Sequence, residues 1–89
     1  MTCGVDEALQ CGAIKMHWLA DCIRRHARGD WGSVPKSDAA LNLAALTPGD
    51  EGRLMSVYPL PTAVDGETTI WIITEWDRSV TTILLPSEY

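Results

Sequence analysis

Residues 68–89, TTIWIITEWDRSVTTILLPSEY, constrain the fold more than any other stretch of this chain. Residues 69–76 and 80–85 are rich in β-branched and aromatic side chains, which suit a pleated surface. Asp77, Arg78 and Ser79 lie between them as a tight polar turn without glycine. The pattern predicts a β-hairpin. Side chains alternate along a strand, so Ile70, Ile72, Thr74 and Trp76 share one face, and Thr69, Trp71, Ile73 and Glu75 the other. Large residues on both faces predict a central strand covered on both sides, with Trp71 and Ile73 in the core beneath helices. A hairpin this apolar does not stand alone in water, so the preceding residues have to supply its cover. Glu75, Asp77 and Arg78 fall at one end of the sheet.

The cover is legible upstream. Residues 13–27 read as a helix, with Trp18, Leu19, Cys22, Ile23 and His26 at three- and four-residue spacing. Arg24, Arg25 and Arg28 crowd its last turn, where cations favour the helix dipole, and Gly29 supplies a stop. His26, at the edge of the stripe, reads as a packed or backbone-bonded histidine. Residues 1–12 are expected to be a loose lead-in with one helical turn near 6–10. Trp31, in the compact turn 29–32, is expected to fold back over the core. Residues 39–46 predict a second, short helix, with Ser37 or Asp38 as N-cap. Its apolar positions are Leu41, Leu43, Ala45 and Leu46, and Asn42 is expected to face water in preference to bonding a neighbouring loop. Residues 53–59 predict the first strand, with Leu54, Ser56 and Tyr58 facing one way and Met55 and Val57 the other. Pro59 and Pro61 cannot donate to a ladder, so the strand is expected to end there and to lie at an edge. Asp65-Gly66 marks the turn into the hairpin. The expected fold is α+β: two N-terminal helices packed on a three-stranded antiparallel sheet, in the order α-α-β-β-β.

Eighty-nine residues predict one domain, and 46% apolar residues suffice for a core. No run is long enough to span a membrane and no signal peptide is visible. Three cysteines, Cys3, Cys11 and Cys22, form no paired framework, which fits a reducing cytoplasm. They and the two histidines, His17 and His26, complete no metal-ligand pattern, and neither metal nor cofactor is expected. Charge is uneven. Residues 1–37 carry four acids and five bases, a net of +1, whereas residues 38–89 carry eight acids and two bases, a net of −6, which together make the overall −5. An acidic surface repels phosphates and favours basic partners.

Several segments carry a resemblance: residues 25–32 (RHARGDWG), Asp38 and Asn42, then Gly52-Arg53 with Ser56 and Tyr58, and the closing block IWIITEWDRS through TTILLP. Together, over residues 23–89, they resemble a family of small bacterial proteins of plasmids, phages and integrative elements. Its members often carry a misleading label as subunit M of type I restriction enzymes. The chain departs from the family pattern at Trp76, where a small residue is usual. A true modification subunit is far larger and carries an Asn/Asp-Pro-Pro-aromatic motif, which this sequence lacks. The resemblance implies a mobile-DNA context. Small acidic proteins there often act by occupying the nucleic-acid-binding surface of a defence complex, as anti-restriction and anti-CRISPR proteins do.

Three readings follow. In the first, the chain is an acidic, phosphate-mimicking inhibitor, a monomer or weak dimer. It binds the basic surface of a CRISPR effector or restriction complex and contacts neither nucleic acid nor membrane. The candidate face draws on Asp50, Glu51, Asp65, Glu67, Glu75, Asp77 and Glu88. In the second it is a small metal-independent ribonuclease or toxin-like enzyme, with His26, Arg53, Tyr58, Thr74, Glu75 and Arg78 as candidate acid, base and cation. The net −6 of the C-terminal half opposes RNA binding, and no nucleophile elbow or phosphate loop is present. In the third it is an accessory of plasmid transfer or maintenance.

Overall fold

The computed structural model describes residues 1–46, 52–64, 66–75 and 77–89. Three helices, α1 (Cys3–Cys11), α2 (Met16–Ala27) and α3 (Lys36–Ala45), precede three strands, β1 (Leu54–Val64), β2 (Glu67–Thr74) and β3 (Thr81–Leu84), and a 3-10 turn at Pro86–Glu88 closes the chain. The sheet is antiparallel with order β1-β2-β3, so β2 is central and the α+β expectation holds. No helix among the described residues is long and apolar enough to cross a membrane.

The first departure is α1, which forms where a loose lead-in was expected. Val5 and Ala8, one turn apart, reach the core, and Gly12 ends the helix in the left-handed region at φ 84°. No local side chain caps its N-terminus. The Glu88 carboxylate does so from the other end of the chain, accepting from the Gly4 N–H (2.9 Å) and the Thr2 hydroxyl (2.5 Å). The Thr2 N–H donates to the Ile83 carbonyl at 3.1 Å, which seats the helix beside β3.

Helix α2 turns Leu19, Cys22 and His26 inward and leaves Ile23 exposed, so His26 belongs to the centre of the stripe rather than its edge. The orientation of α3 differs more. Pro35 holds the N-cap position, and neither Ser37 nor Asp38 caps the helix. Its buried residues are Asn42 and Ala45, whereas Leu41, Leu43 and Leu46 are 65%, 63% and 55% exposed. Asn42 does not face water. Its side-chain amide donates to the Met55 carbonyl (2.7 Å), and its side-chain oxygen accepts from the Met55 N–H (3.0 Å). One amide thus takes both hydrogen bonds that a neighbouring strand would make with Met55.

Strand β1 continues through both prolines to Val64 rather than ending at Pro59. It lies at the edge, as expected. The Val57 N–H and C=O point away from β2, bonding the Trp31 carbonyl (3.1 Å) and the Ser33 N–H (2.7 Å). Pro59, two residues on, has its missing donor on that same outward side, where no ladder needs it. The register is irregular between Pro59 and Val64, which accommodates Pro61. Gly32 makes the parallel bridge to Val57 possible: a Cβ there would sit 2.1 Å from the Val57 carbonyl oxygen.

The sheet has two unlike faces. On the first, Tyr58, Ile70, Ile72, Ile83 and Leu85 form one core with Val5, Ala8, Ile14, Leu19 and Cys22 of the α1–α2 half. On the second, Val57 pairs with Trp71 and Trp71 with Leu84, while Met55 pairs with Ile73. Trp71 is therefore not beneath α1 and α2, where Ile70 and Ile72 are fully buried in its place. Ile73, on the same face as Trp71, is buried but also lies outside the core beneath α1 and α2, and Trp71 is only half-buried. Its ring meets Tyr89 edge-on at 5.6 Å, and the Arg53 guanidinium lies 5.5 Å from the centre of the Tyr89 ring.

Candidate functional site

Of the seven acids proposed for a binding face, Asp50, Glu51 and Asp65 lie outside the described residues. The other four fall into two pairs. Glu67 opens β2 and accepts from the Ser87 N–H (2.7 Å) and hydroxyl (3.0 Å), which brings it beside Glu88. Glu75 and Asp77 lie in the turn after the other end of β2, where Glu75 N–H donates to the Val80 carbonyl (2.9 Å). At roughly 3.3 Å per residue the two ends are about 25 Å apart. The structure brings the acids together within each pair and separates the pairs by the length of a strand.

Three of these carboxylates are held in place by neutral donors. Asp77 accepts from the Ser79 N–H (3.0 Å) and hydroxyl (2.6 Å), and these bonds hold it below the usual carboxylate range. Glu88 is lowered likewise by the Thr2 hydroxyl and then the Gly4 and Leu85 N–H groups. Such bonds fix the position of a negative charge without cancelling it. The ion pairs among the described residues are Arg24 with Asp21 and Arg25 with Asp30, all in the N-terminal half. The acids of the sheet half are not paired with a cation among those residues.

Of the candidate catalytic residues the structure joins His26 to Thr74, in a structural arrangement, and gives Tyr58, Arg53 and Arg78 other partners. The His26 Nδ1 lies 2.5 Å from the Ser56 hydroxyl and its Nε2 lies 2.9 Å from the Thr74 hydroxyl, which is 2.9 Å from that of Thr81. Either tautomer of the neutral ring satisfies this chain from end to end. His26, Ser56 and Thr74 are all buried, and burial lowers the His26 pKa from 6.5. Ser56 is fully buried, so the serine–histidine contact has no access for a substrate. The Tyr58 hydroxyl donates to the Asp30 carbonyl (2.6 Å) beneath the Arg25 guanidinium, which lies 4.7 Å from the ring centre.

Arg78 does not simply pair with Asp77 or Glu75 as a turn cation. In the left-handed region at φ 63°, it donates to the carbonyls of Ala45 (2.6 Å), Gly52 (3.0 Å) and Glu75 (3.2 Å). It thereby places a cation at the C-terminal end of α3 and ties the hairpin turn to the start of β1. Arg53 donates to the Tyr89 hydroxyl. Cys3, Cys11 and Cys22 are free thiols; Cys22 is buried, and burial pushes it up to about 11. Among the described residues, no group of three or more histidine, cysteine, aspartate or glutamate side chains is arranged to hold a metal ion.

Sequence reading missed two surface features. One is the Trp71–Tyr89–Arg53 contact on the second face; Tyr89 reaches Trp71 only because the 3-10 turn folds it back, which strand alternation does not signal. The other is a groove of about 260 Å³ between α3 and the start of β1, with Leu41, Ala44 and Met55 among its walls and Asp38 beside them. Its signal in the sequence is the leucines of α3, which helical patterning assigns to the core and the structure leaves exposed. No family model, curated protein or solved structure matches this chain.

Proposed function

We propose that this protein is a binding module that performs no chemistry and docks on a basic protein surface through fixed negative charges. The observation that carries this reading is the state of the acids. Glu67, Asp77 and Glu88 are positioned by neutral hydrogen-bond donors, and the sheet half holds no ion pair among the described residues. Charges held in place before binding lose less freedom on association than mobile ones, and uncancelled ones keep their reach. Two acidic ends about 25 Å apart match roughly seven base-pair steps of duplex at 3.4 Å each. A groove built to hold nucleic acid is a surface of that scale. The resemblance to mobile-element proteins narrows the partner to a nucleic-acid-binding complex of bacterial defence, a CRISPR effector or a restriction enzyme. The enzyme reading is the weaker because His26, Tyr58 and Arg78 are each committed to internal hydrogen bonds.

The test sets the purified protein against such a complex and its target. Inhibition of target binding, weakening as salt rises and relieved by the double variant Glu75→Lys/Asp77→Lys, is the expected result. Single reversals are expected to have smaller effects, since one exposed charge contributes little. Cleavage of RNA or DNA by the protein alone, lost in His26→Ala or Arg78→Ala, would overturn the reading.

A further inference from the structure

The groove between α3 and the start of β1 carries a more specific assignment, which rests on the reading that the partner is basic. Its walls are mainly apolar, and Leu41 at its lip is largely exposed. Among the described residues, the polar side chains around it are committed elsewhere with one exception. The Asn42 amide is used by Met55, and Arg53 is held by Tyr89. Asp38 is half-buried and has neither a hydrogen bond nor an ion pair from its side chain among the described residues. Glu75 acts electrostatically on Arg53. Arg78 donates to the carbonyl of Gly52 in the groove wall, so Asp38, Glu75, Arg53 and Arg78 balance in charge, and Asp38 is the carboxylate that lines the groove.

The chemistry of an occupant follows from those walls. An anion is repelled by Asp38. A neutral apolar group fills the space but removes water from an unpaired carboxylate, which is costly. A long aliphatic stem ending in a cation satisfies both parts, with the stem against Leu41, Ala44 and Met55 and the charge at Asp38. Both Asp38 oxygens are uncommitted among the described residues, which suits the two parallel N–H donors of a guanidinium better than the single point charge of an ammonium. We propose that this groove seats one arginine side chain of the basic partner, paired with Asp38, and so fixes the register in which the two acidic ends engage.

The probe is a blocked pentapeptide, acetyl-Ala-Ala-Arg-Ala-Ala-amide, titrated into the isotopically labelled chain by NMR. Matching peptides carry lysine or citrulline in place of arginine. Shifts concentrated at Asp38, Leu41, Ala44 and Met55 are expected, with the arginine peptide binding more tightly than the lysine peptide and the citrulline peptide weakest. Asp38→Asn is expected to weaken the arginine peptide about fivefold, in keeping with a partly exposed pair. Leu41→Ser weakens all three, because it removes the wall and not the charge. Both positions are exposed enough that the melting curve serves as the check on folding. Absence of binding by the arginine peptide, or equal binding of the citrulline peptide, overturns the assignment. The full basic partner separates the two readings. If Asp38→Asn leaves its affinity unchanged while Glu75→Lys/Asp77→Lys lowers it, the groove assignment fails and the acidic docking stands. If the parent binds no basic partner at all, both fail.

Discussion

The two faces of the sheet do different work although both are built from the same three strands. The face made by Tyr58, Ile70, Ile72 and Ile83 is closed by α1 and α2 and lined with buried residues. The opposite face has Ile73 and Leu84 buried, yet Trp71 is half-buried and Tyr89 and Arg53 lie over it in the open. A closed face offers nothing to a partner. A face that carries a tryptophan, a tyrosine and an arginine within contact of one another has the side chains most often found at the centres of binding surfaces. The buried core is thus concentrated on one side of β2 and the exposed aromatic and cationic side chains on the other, with the groove at Asp38 bordering the second side through Met55 and Arg53.

The largest effect expected from this difference is on stability. Ile72→Ala removes a fully buried side chain from the closed face and should cost about 2–5 kcal/mol, a large share of what a domain of this size possesses. Trp71→Ala removes a larger side chain, but one that keeps part of its surface in water, and should cost about 1–2 kcal/mol. Denaturant melts of the two variants measure the order directly. A Trp71 variant less stable than the Ile72 variant would mean that the second face is as much a core as the first.

Which parts of this were legible beforehand follows from how far each signal travels along the chain. The β2–β3 hairpin was readable because alternation is local: each residue of the runs TTIWIIT and TTIL reports its own face. In α2, three-residue spacing marks Leu19 and Cys22 as inward, but it puts Ile23 in the stripe and His26 at its edge, where the structure has Ile23 exposed and His26 central. Helix α1 was not, since only Val5 and Ala8 mark its buried side and its cap, Glu88, lies at the opposite end of the sequence. The orientation of α3 runs against residue polarity, with its leucines exposed and Asn42 buried. What decides it is the unpaired edge of β1, where Met55 needs both a donor and an acceptor, and no helix periodicity contains that information. The candidate site suffers likewise. The acids were visible as a count, but their division between the two ends of β2 depends on strand pairing.

Asn42 supplies the next test of how the second face is bounded. Asn42→Ala leaves the Met55 N–H and C=O without their partner and should cost about 1–3 kcal/mol. The loss should appear first as faster hydrogen exchange at the Met55 amide, while the amides of β2 stay protected. If Met55 exchange is unchanged, the docking of α3 does not depend on this amide, and the groove beside it is held by other contacts. Asn42→Asp should behave like the alanine variant at the Met55 carbonyl, because a carboxylate accepts but cannot donate.

The smallest expected effect belongs to the closed face, and its sign separates a buried neutral histidine from a charged one. Burial lowers the pKa of His26 from 6.5, so the folded chain keeps the ring neutral at pH values where the unfolded chain already takes up a proton. Between the lowered folded value and 6.5 the unfolded state binds more protons, and stability therefore rises with pH in that window. The contribution is fully present above 6.5, is lost as pH falls through the window, and does not change further below the folded value. The carboxyls of Asp30, Asp77 and Glu88, all lowered by hydrogen bonds, act in a separate and more acidic range, beginning near 4.5 and below. Denaturation measured across pH should therefore show two declines on acidification, the first starting near 6.5. His26→Gln should abolish the first and keep the second, even though it lowers stability at every pH by disturbing the hydroxyls of Ser56 and Thr74. A first decline that survives in His26→Gln does not come from His26 and removes the pH signature of the closed face. A stability that instead rises on acidification through 6.5 would mean that His26 is charged in the folded chain, with Ser56 and Thr74 both accepting from it.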